Sequence, residues 1–320
     1  MKPKVFVSRI IPGLERITDL YDVDVWPDEL PPPYPVLCER VRGVAGLISM
    51  LTDRIDGHLL DAAGASLKVV SEMSVGHDNI DLEAARQRGI AVGYTPVASL
   101  TETTADMAFT LLLASARRLV ESVHYVQDGQ WVTWHPTTLL GHEVTGATLG
   151  IIGLGRIGQA MAKRASGFNM RILADGPHLT DEQAAQAGTT RVELNDLLQR
   201  SDFVSLHCRL SPQTRHLINR DTLAQMKPSA ILINTARGGI VDQAALVEAL
   251  TNGVIAGAGL DVTDPEPLPA DNPLLKLPNV IVVPHIASAT IGTRTEIAHI
   301  AIDNLIAGIS GQPLPHPIGA

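Results

Sequence analysis

The chain has 320 residues, 45% hydrophobic and 18% charged, with a net charge of −9, so it has room for two domains and a large core. The acidic balance, in which no basic cluster is longer than a pair such as Arg117-Arg118, argues against a nucleic-acid surface, and two cysteines, Cys38 and Cys208, are too few for a disulfide framework or a thiolate metal site. No apolar run approaches the roughly 18 residues of a membrane span and no signal-peptide layout precedes the first strand, so the expectation is a cytoplasmic protein that acts on small molecules without a metal.

In chain order, residues 5–7, 23–25, 46–50, 68–71 and 90–92 read as short strands, with helical stretches near 13–20, 35–41, 56–63 and 82–88 between them. Alternation of this kind predicts a parallel sheet covered by helices. Next, residues 101–128 contain neither Pro nor Gly and place Met107, Leu111, Ala114 and Leu119 at a helical period, which predicts one long helix serving as a dimerisation arm. The loop that follows holds Trp131 and Trp134, an aromatic pair suited to an interface or a pocket wall.

A second alternating block begins at 149–152, an apolar run that enters Gly153-x-Gly155-x-x-Gly158 and then a helical pattern. This is strand, tight turn, helix. Gly153 permits the turn, Gly155 lets backbone approach a pyrophosphate, and Gly158 allows close packing of helix on strand. A further strand, 170–174, ends at Asp175, near the spacing at which a carboxylate meets ribose hydroxyls, so the block is read as a dinucleotide site. The alternation continues to a strand at 280–283, and a last helix at 290–308 follows the completed second sheet. That order predicts a discontinuous first domain. Residues 1–99 and 289–320 would form the smaller, flavodoxin-like substrate domain, and 100–288 the Rossmann cofactor domain with its arm, both doubly wound α/β sheets.

Ligands of parallel sheets bind beyond the carboxyl ends of the strands. Three consecutive predicted strands are followed there by Arg237, by Asp261 and Glu266, and by His285. Alone, each has an ordinary reading, as a surface cation, a solvated loop acid or a strand-end histidine. Together they suit hydride transfer to a 2-oxo acid. The arginine fork binds carboxylate and keto oxygen, the histidine supplies a proton to the new alkoxide, and the carboxylate behind it keeps the ring protonated and oriented. No nucleophile elbow and no helical pair of metal-spaced histidines is present.

With these residues, and with Met73-Ser74-Val75-Gly76, Thr104-Ala105-Asp106, Trp131-x-x-Trp134, His207, Asn234 to Gly239 and Gly259 to Val262, the chain resembles the D-isomer-specific 2-hydroxyacid dehydrogenase family. Within it, the chain looks most like the glyoxylate/hydroxypyruvate reductases. The resemblance implies an NAD(P)H-dependent reduction of a small 2-oxo acid docked between the domains, with Arg237, Glu266 and His285 catalytic and domain closure about hinges near Leu100 and Ser288. It implies that Val75 and Gly76 N–H groups hold the substrate carboxylate, that Ser288 also meets substrate, and that Trp134 reaches the active site of a second subunit in a homodimer. For the cofactor it implies Thr104, Gly153, Gly155, Arg156, Ile157, Asp175, His207, Thr214, Thr235 and His285, with Asp261 and the Ala236 carbonyl orienting the nicotinamide amide.

This chain departs from the family at several points. The family's ribose-binding acid falls one place after Asp175, where Gly176 stands, and Pro177 occupies a place that carries Arg in NADP users. With Asp181 and Glu182 nearby and no Arg or Lys before Ala187, a 2′-phosphate would meet acids, so NAD(H) is expected ahead of NADP(H). His77 stands where an aromatic is common. The alternatives are another D-2-hydroxy acid such as 3-phosphoglycerate, or a non-catalytic NAD(H)-sensing corepressor-like protein. The first lacks a basic cluster and room for an appended regulatory domain, and the second lacks an obvious peptide groove and long tails.

Overall fold

A computed structural model describes residues 2–318, and these divide into two compact units, Met1–Leu100 with Ala289–Ala320 and Thr101–Ser288. The first unit is built on β1 (Lys4–Val7), β2 (Asp22–Val25), β3 (Gly46–Ser49), β4 (Val69–Glu72) and β5 (Ala91–Gly93). Their order in the sheet is β2-β1-β3-β4-β5, and every named pair is parallel. Helices α1 (Glu15–Thr18), α2 (Tyr34–Arg40), α3 (Gly57–Ala63) and α4 (Leu82–Gln87) connect the strands. Asp56 and Asp81 cap α3 and α4 by accepting the N–H groups of Leu59 and Ala84. The inner strands β3 and β4 are buried on both faces, whereas the edge strand β2 alternates Asp and Val and has no buried residue.

The second unit opens with α5 (Ala98–Ala116), most of which belongs to it, and α6 (Leu119–Gln127). A seven-stranded parallel sheet follows, made of β6 (Thr148–Ile152), β7 (Arg171–Asp175), β8 (Thr190–Arg191), β9 (Phe203–Leu206), β10 (Ile231–Asn234), β11 (Gly257–Leu260) and β12 (Val280–Val282). Between strands run α7 (Arg156–Ser166), α8 (Asp181–Gln186), α9 (Leu194–Arg200), α10 (Arg220–Leu223) and α11 (Gln243–Thr251). The strand order β12-β11-β10-β9-β6-β7-β8 reverses direction at β6 and β9, the crevice where such sheets take ligands. The last helix, α12 (Ile291–Ile309), packs through Ile302, Leu305 and Ile309 on the face of the first sheet opposite α2 to α4. Among the described residues no helix is long and apolar enough to cross a membrane.

One expected element is corrected. Residues 101–128 are two helices, because α5 stops at Ala116 and Arg118 turns into the left-handed region at φ 50°. The cause is tertiary. The His142 N–H takes the Ala116 carbonyl at 2.8 Å, and Arg118 then pairs with Glu121 at 2.7 Å to start α6. No residue of α6 is buried, and Leu119, Val120, Val123 and Val126 are all exposed.

Candidate active site

The loops after β10, β11 and β12, three neighbouring strands, carry Arg237, Glu266 and His285. Asn234 shapes the first loop. It is a buried polar residue at the end of an apolar strand, and its side chain accepts the Ala236 N–H and donates to the Arg237 carbonyl, both at 3.0 Å. Arg237 in turn donates to the Ala236 carbonyl at 2.8 Å. Gly238 follows, and a Cβ there would lie 1.9 Å from the Thr263 carbonyl oxygen, so backbone meets backbone between the arginine loop and the acidic one.

In the second loop Thr263 N–H donates to Glu266 Oε1 at 3.0 Å, and Glu266 Oε2 lies 2.9 Å from His285 Nδ1. Burial alone would raise the Glu266 carboxyl, but the hydrogen bond and charge of His285, with the charge of Arg237, hold it below the ordinary range. Glu266 is therefore ionised at neutral pH. With Nδ1 tied to Glu266, Nε2 is the ring nitrogen left to exchange a proton with a ligand.

His285 itself sits at φ 52°, a conformation uncommon for a residue with a side chain. Asp261 holds it there. The Asp261 carbonyl accepts the His285 N–H at 2.9 Å, and its carboxylate accepts the N–H groups of Ile286 at 2.7 Å and Ala287 at 3.0 Å. Burial nonetheless leaves the Asp261 carboxyl above its usual value. In the sequence Asp261 reads as a cofactor contact and Asn234 only as the start of a motif, and neither shows the loop-shaping hydrogen bonds it makes here.

At the centre of the same sheet edge, β6 runs into Gly153, whose φ of 97° suits glycine alone, and a Cβ there would meet the Cys208 backbone N at 2.6 Å. Gly155 begins α7 with no side-chain cap, and a Cβ on it would enter open space. Uncapped N–H groups facing open space, at the positive end of a helix, fit a pyrophosphate. The buried Thr235 hydroxyl has no hydrogen-bond partner among the described residues, a second polar group left for a ligand at this edge. Asp175 ends β7, its carboxyl raised by burial and by the charge of Glu193, against the Gly176 N–H and Arg191. His207 follows β9, and burial pushes it down to about 4, so its ring is neutral and its Nε2 lies 2.8 Å from Ser205 Oγ. Arg156 and Ile157 form the first turn of α7, and Thr104 is buried in α5. Thr214 is occupied in its own loop, where it accepts the Ser211 N–H at 2.8 Å and donates to the Arg209 carbonyl at 2.6 Å.

The remaining candidates lie elsewhere. Ser288 is the last residue of the second unit, whereas Val75 and Gly76 follow β4 in the first, where neither N–H is taken up by an acceptor among the described residues. Trp134 is 79% exposed on its loop.

Comparison with known proteins agrees with this architecture. A family model described as "D-isomer specific 2-hydroxyacid dehydrogenase, NAD binding domain" matches residues 109–287. A glyoxylate reductase of Korarchaeum cryptofilum is 50% identical over 319 residues, covering 99% of this chain and 96% of that protein. A Thermus thermophilus protein of solved structure superposes with a TM-score of 0.91 at 48% identity, with 98% of this chain and 99% of that one covered. An NADPH-dependent glyoxylate/hydroxypyruvate reductase of Sinorhizobium meliloti, solved with NADP and malonate, gives a TM-score of 0.85 at 33% identity over 100% of this chain and 97% of its own.

Proposed function

The chain belongs to the D-isomer specific 2-hydroxyacid dehydrogenases, and from that premise we propose that it reduces glyoxylate to glycolate and hydroxypyruvate to D-glycerate. The observation that carries the proposal is the set of Arg237, Glu266 and His285 on adjoining strand ends, with Glu266 2.9 Å from the imidazole, at the sheet edge that also bears the glycine turn. The Arg237 guanidinium binds the carboxylate and the keto oxygen of the oxo acid. Val75 and Gly76 give their N–H groups to the carboxylate, and Ser288 adds a hydroxyl. His285 holds a proton at Nε2 and releases it to the carbonyl oxygen, while ionised Glu266 stabilises the imidazolium and fixes the ring. When bound, the reduced nicotinamide supplies a hydride to the carbonyl carbon.

NAD(H) is the cofactor. Its pyrophosphate is held at Gly153, Gly155, Arg156 and Ile157, its ribose by Asp175, and its nicotinamide end by Thr235, Ala236 and Asp261, with Thr104, His207 and Thr214 along the way. The acid cluster supports this choice over NADP(H): Arg191, the cation near Asp175, is engaged by Glu193 at 3.1 Å and Asp181 at 3.6 Å. A 2′-phosphate there would face carboxylates.

The protein acts as a homodimer through α6 and the tryptophan loop, whose apolar side chains are exposed in the single chain, and Trp134 reaches the second copy's active site. The reducing cytoplasm suits its two free thiols. The relatives favour neither 3-phosphoglycerate nor a non-catalytic sensing role. A panel of 2-oxo acids assayed with NADH and with NADPH tests the proposal: it holds if glyoxylate or hydroxypyruvate turns over with NADH, and fails if neither does.

A further inference from the structure

The first unit carries a buried polar cluster that none of the roles above uses. Glu72, the last residue of β4, is 0% exposed, and Asp53, in the loop after β3, is 2% exposed. An ionised carboxyl is costly to bury without a cation. The oxygens of Glu72 meet neutral groups instead. Ser49 Oγ donates to Oε2 at 2.6 Å, Asn79 Nδ2 lies 3.4 Å from the same oxygen, and Ser74 Oγ lies 3.2 Å from Oε1.

Ser74 makes a second contact, with the carbonyl oxygen of Gly76. A serine hydroxyl has one proton to donate. If that proton goes to the Gly76 carbonyl, the contact with Glu72 must run the other way, which requires Glu72 Oε1 to carry a proton. We infer that protonated Glu72 is a positioning residue for the substrate: it donates to Ser74 Oγ, Ser74 donates to the Gly76 carbonyl, and this chain sets the loop whose Val75 and Gly76 N–H groups take the oxo-acid carboxylate. The inference rests on the assignment of Val75 and Gly76 to that carboxylate.

The electrostatics agree with the geometry. Burial pushes the Glu72 carboxyl up to about 7, the charge of Asp53 adding to the effect and the hydrogen bonds from Ser49, Asn79 and Ser74 opposing it. Burial raises Asp53 as well, against the Ser8 hydroxyl, the Met50 N–H and the charge of Arg9. From the loop after β4 itself, the His77 ring lies 3.3 Å from the Val75 carbonyl, on the substrate loop. Once Glu72 loses its proton, Oε1 and the Gly76 carbonyl compete for one hydroxyl hydrogen. The loop is then held less firmly, the KM for the oxo acid rises, and the groups at Arg237, Glu266 and His285 keep their chemistry.

The test compares wild type, Glu72→Gln and Ser74→Ala for KM and kcat with glyoxylate and saturating NADH. Glutamine keeps a donor to Ser74 and an acceptor for Ser49 at every pH. Between about pH 6 and about pH 9 the KM of wild type should therefore rise about five- to tenfold more than that of Glu72→Gln, the size expected for one hydrogen bond. Ser74→Ala should have a raised KM at both ends, with kcat and the NADH dissociation constant within about twofold of wild type in both variants. KM profiles of active wild type and Glu72→Gln that coincide within about twofold overturn the inference alone, whereas a wild type that reduces neither oxo acid overturns the functional reading with it. ¹³C NMR of the glutamate carboxyls in the wild-type protein adds a check that needs no variant to fold: one carboxyl should titrate near neutrality, and titration of all of them in the ordinary range would overturn the inference.

Discussion

Nδ1 of His285 lies 2.9 Å from Oε2 of Glu266, with both side chains about one-quarter to one-third exposed at 27% and 30%. The pair is reachable from solvent yet shielded enough for the carboxylate charge to matter. His285 holds the Glu266 carboxyl below its usual range, so the acid faces the ring as a carboxylate. Glu266→Gln keeps a hydrogen bond and removes the charge. Its kcat for oxo-acid reduction should fall about tenfold or more, the worth of ~1.4 kcal/mol of lost stabilisation of the charged ring. Steady-state kinetics at saturating NADH check this, and a kcat within about twofold of wild type would refute it.

Asp175 is the acid nearest the expected ribose site, and removing it should relax cofactor choice. Asp175→Ala should lower the ratio of kcat/KM with NADH to that with NADPH by about tenfold or more, the worth of ~1.4 kcal/mol. Steady-state kinetics with both cofactors measure the ratio directly. An unchanged ratio would move the determinant elsewhere, to Glu193 or Asp181.

Stability should report the buried state of Glu72. Its folded value, about 7, lies above its ordinary value of 4.5, so the folded protein binds that proton more tightly than the unfolded one. The associated stability is fully present below about pH 4.5 and is lost as pH rises to about 7. Glu72→Gln cannot lose it, and should be more stable than wild type above pH 7 by up to about 3 kcal/mol, the gap closing toward pH 5. Urea unfolding at the two pH values decides the point, and a gap of the opposite sign would contradict it.

Exposed Val123 and Val126 lie on the apolar side of α6, the face proposed to pair with a second copy. Val123→Asp would bury a charge at that contact, so the dimer should dissociate at concentrations at least about a hundredfold higher than in wild type. Sedimentation velocity on both proteins tests it. A wild type that sediments as a monomer at assay concentrations would reject the dimer.

Much of the architecture was legible because parallel strands buried on both faces read as short apolar runs, and because Gly153, Gly155 and Gly158 mark a turn that few other residues could make. Position after successive strands was enough to single out Arg237, Glu266 and His285, since β10, β11 and β12 are neighbours. What stayed hidden was tertiary. The break at Arg118 depends on the His142 N–H capturing a helix carbonyl, with no Gly or Pro to announce it. Glu72 reads as an ordinary strand-end acid, and only its zero exposure and its contact with Ser74 give it a different character. Asp261 belongs to the same class, because its grip on Ile286 and Ala287 spans 25 and 26 residues of sequence.

The central claim is that His285 protonates the carbonyl oxygen as the oxo acid is reduced. The most direct measurement is kcat for glyoxylate reduction by His285→Ala at saturating NADH, with NADH binding checked by fluorescence. General acid catalysis is worth about 10²–10⁴-fold, so kcat should fall by that factor while the NADH dissociation constant stays within about threefold of wild type. A variant that binds NADH normally and turns over within a few-fold of wild type would contradict the claim.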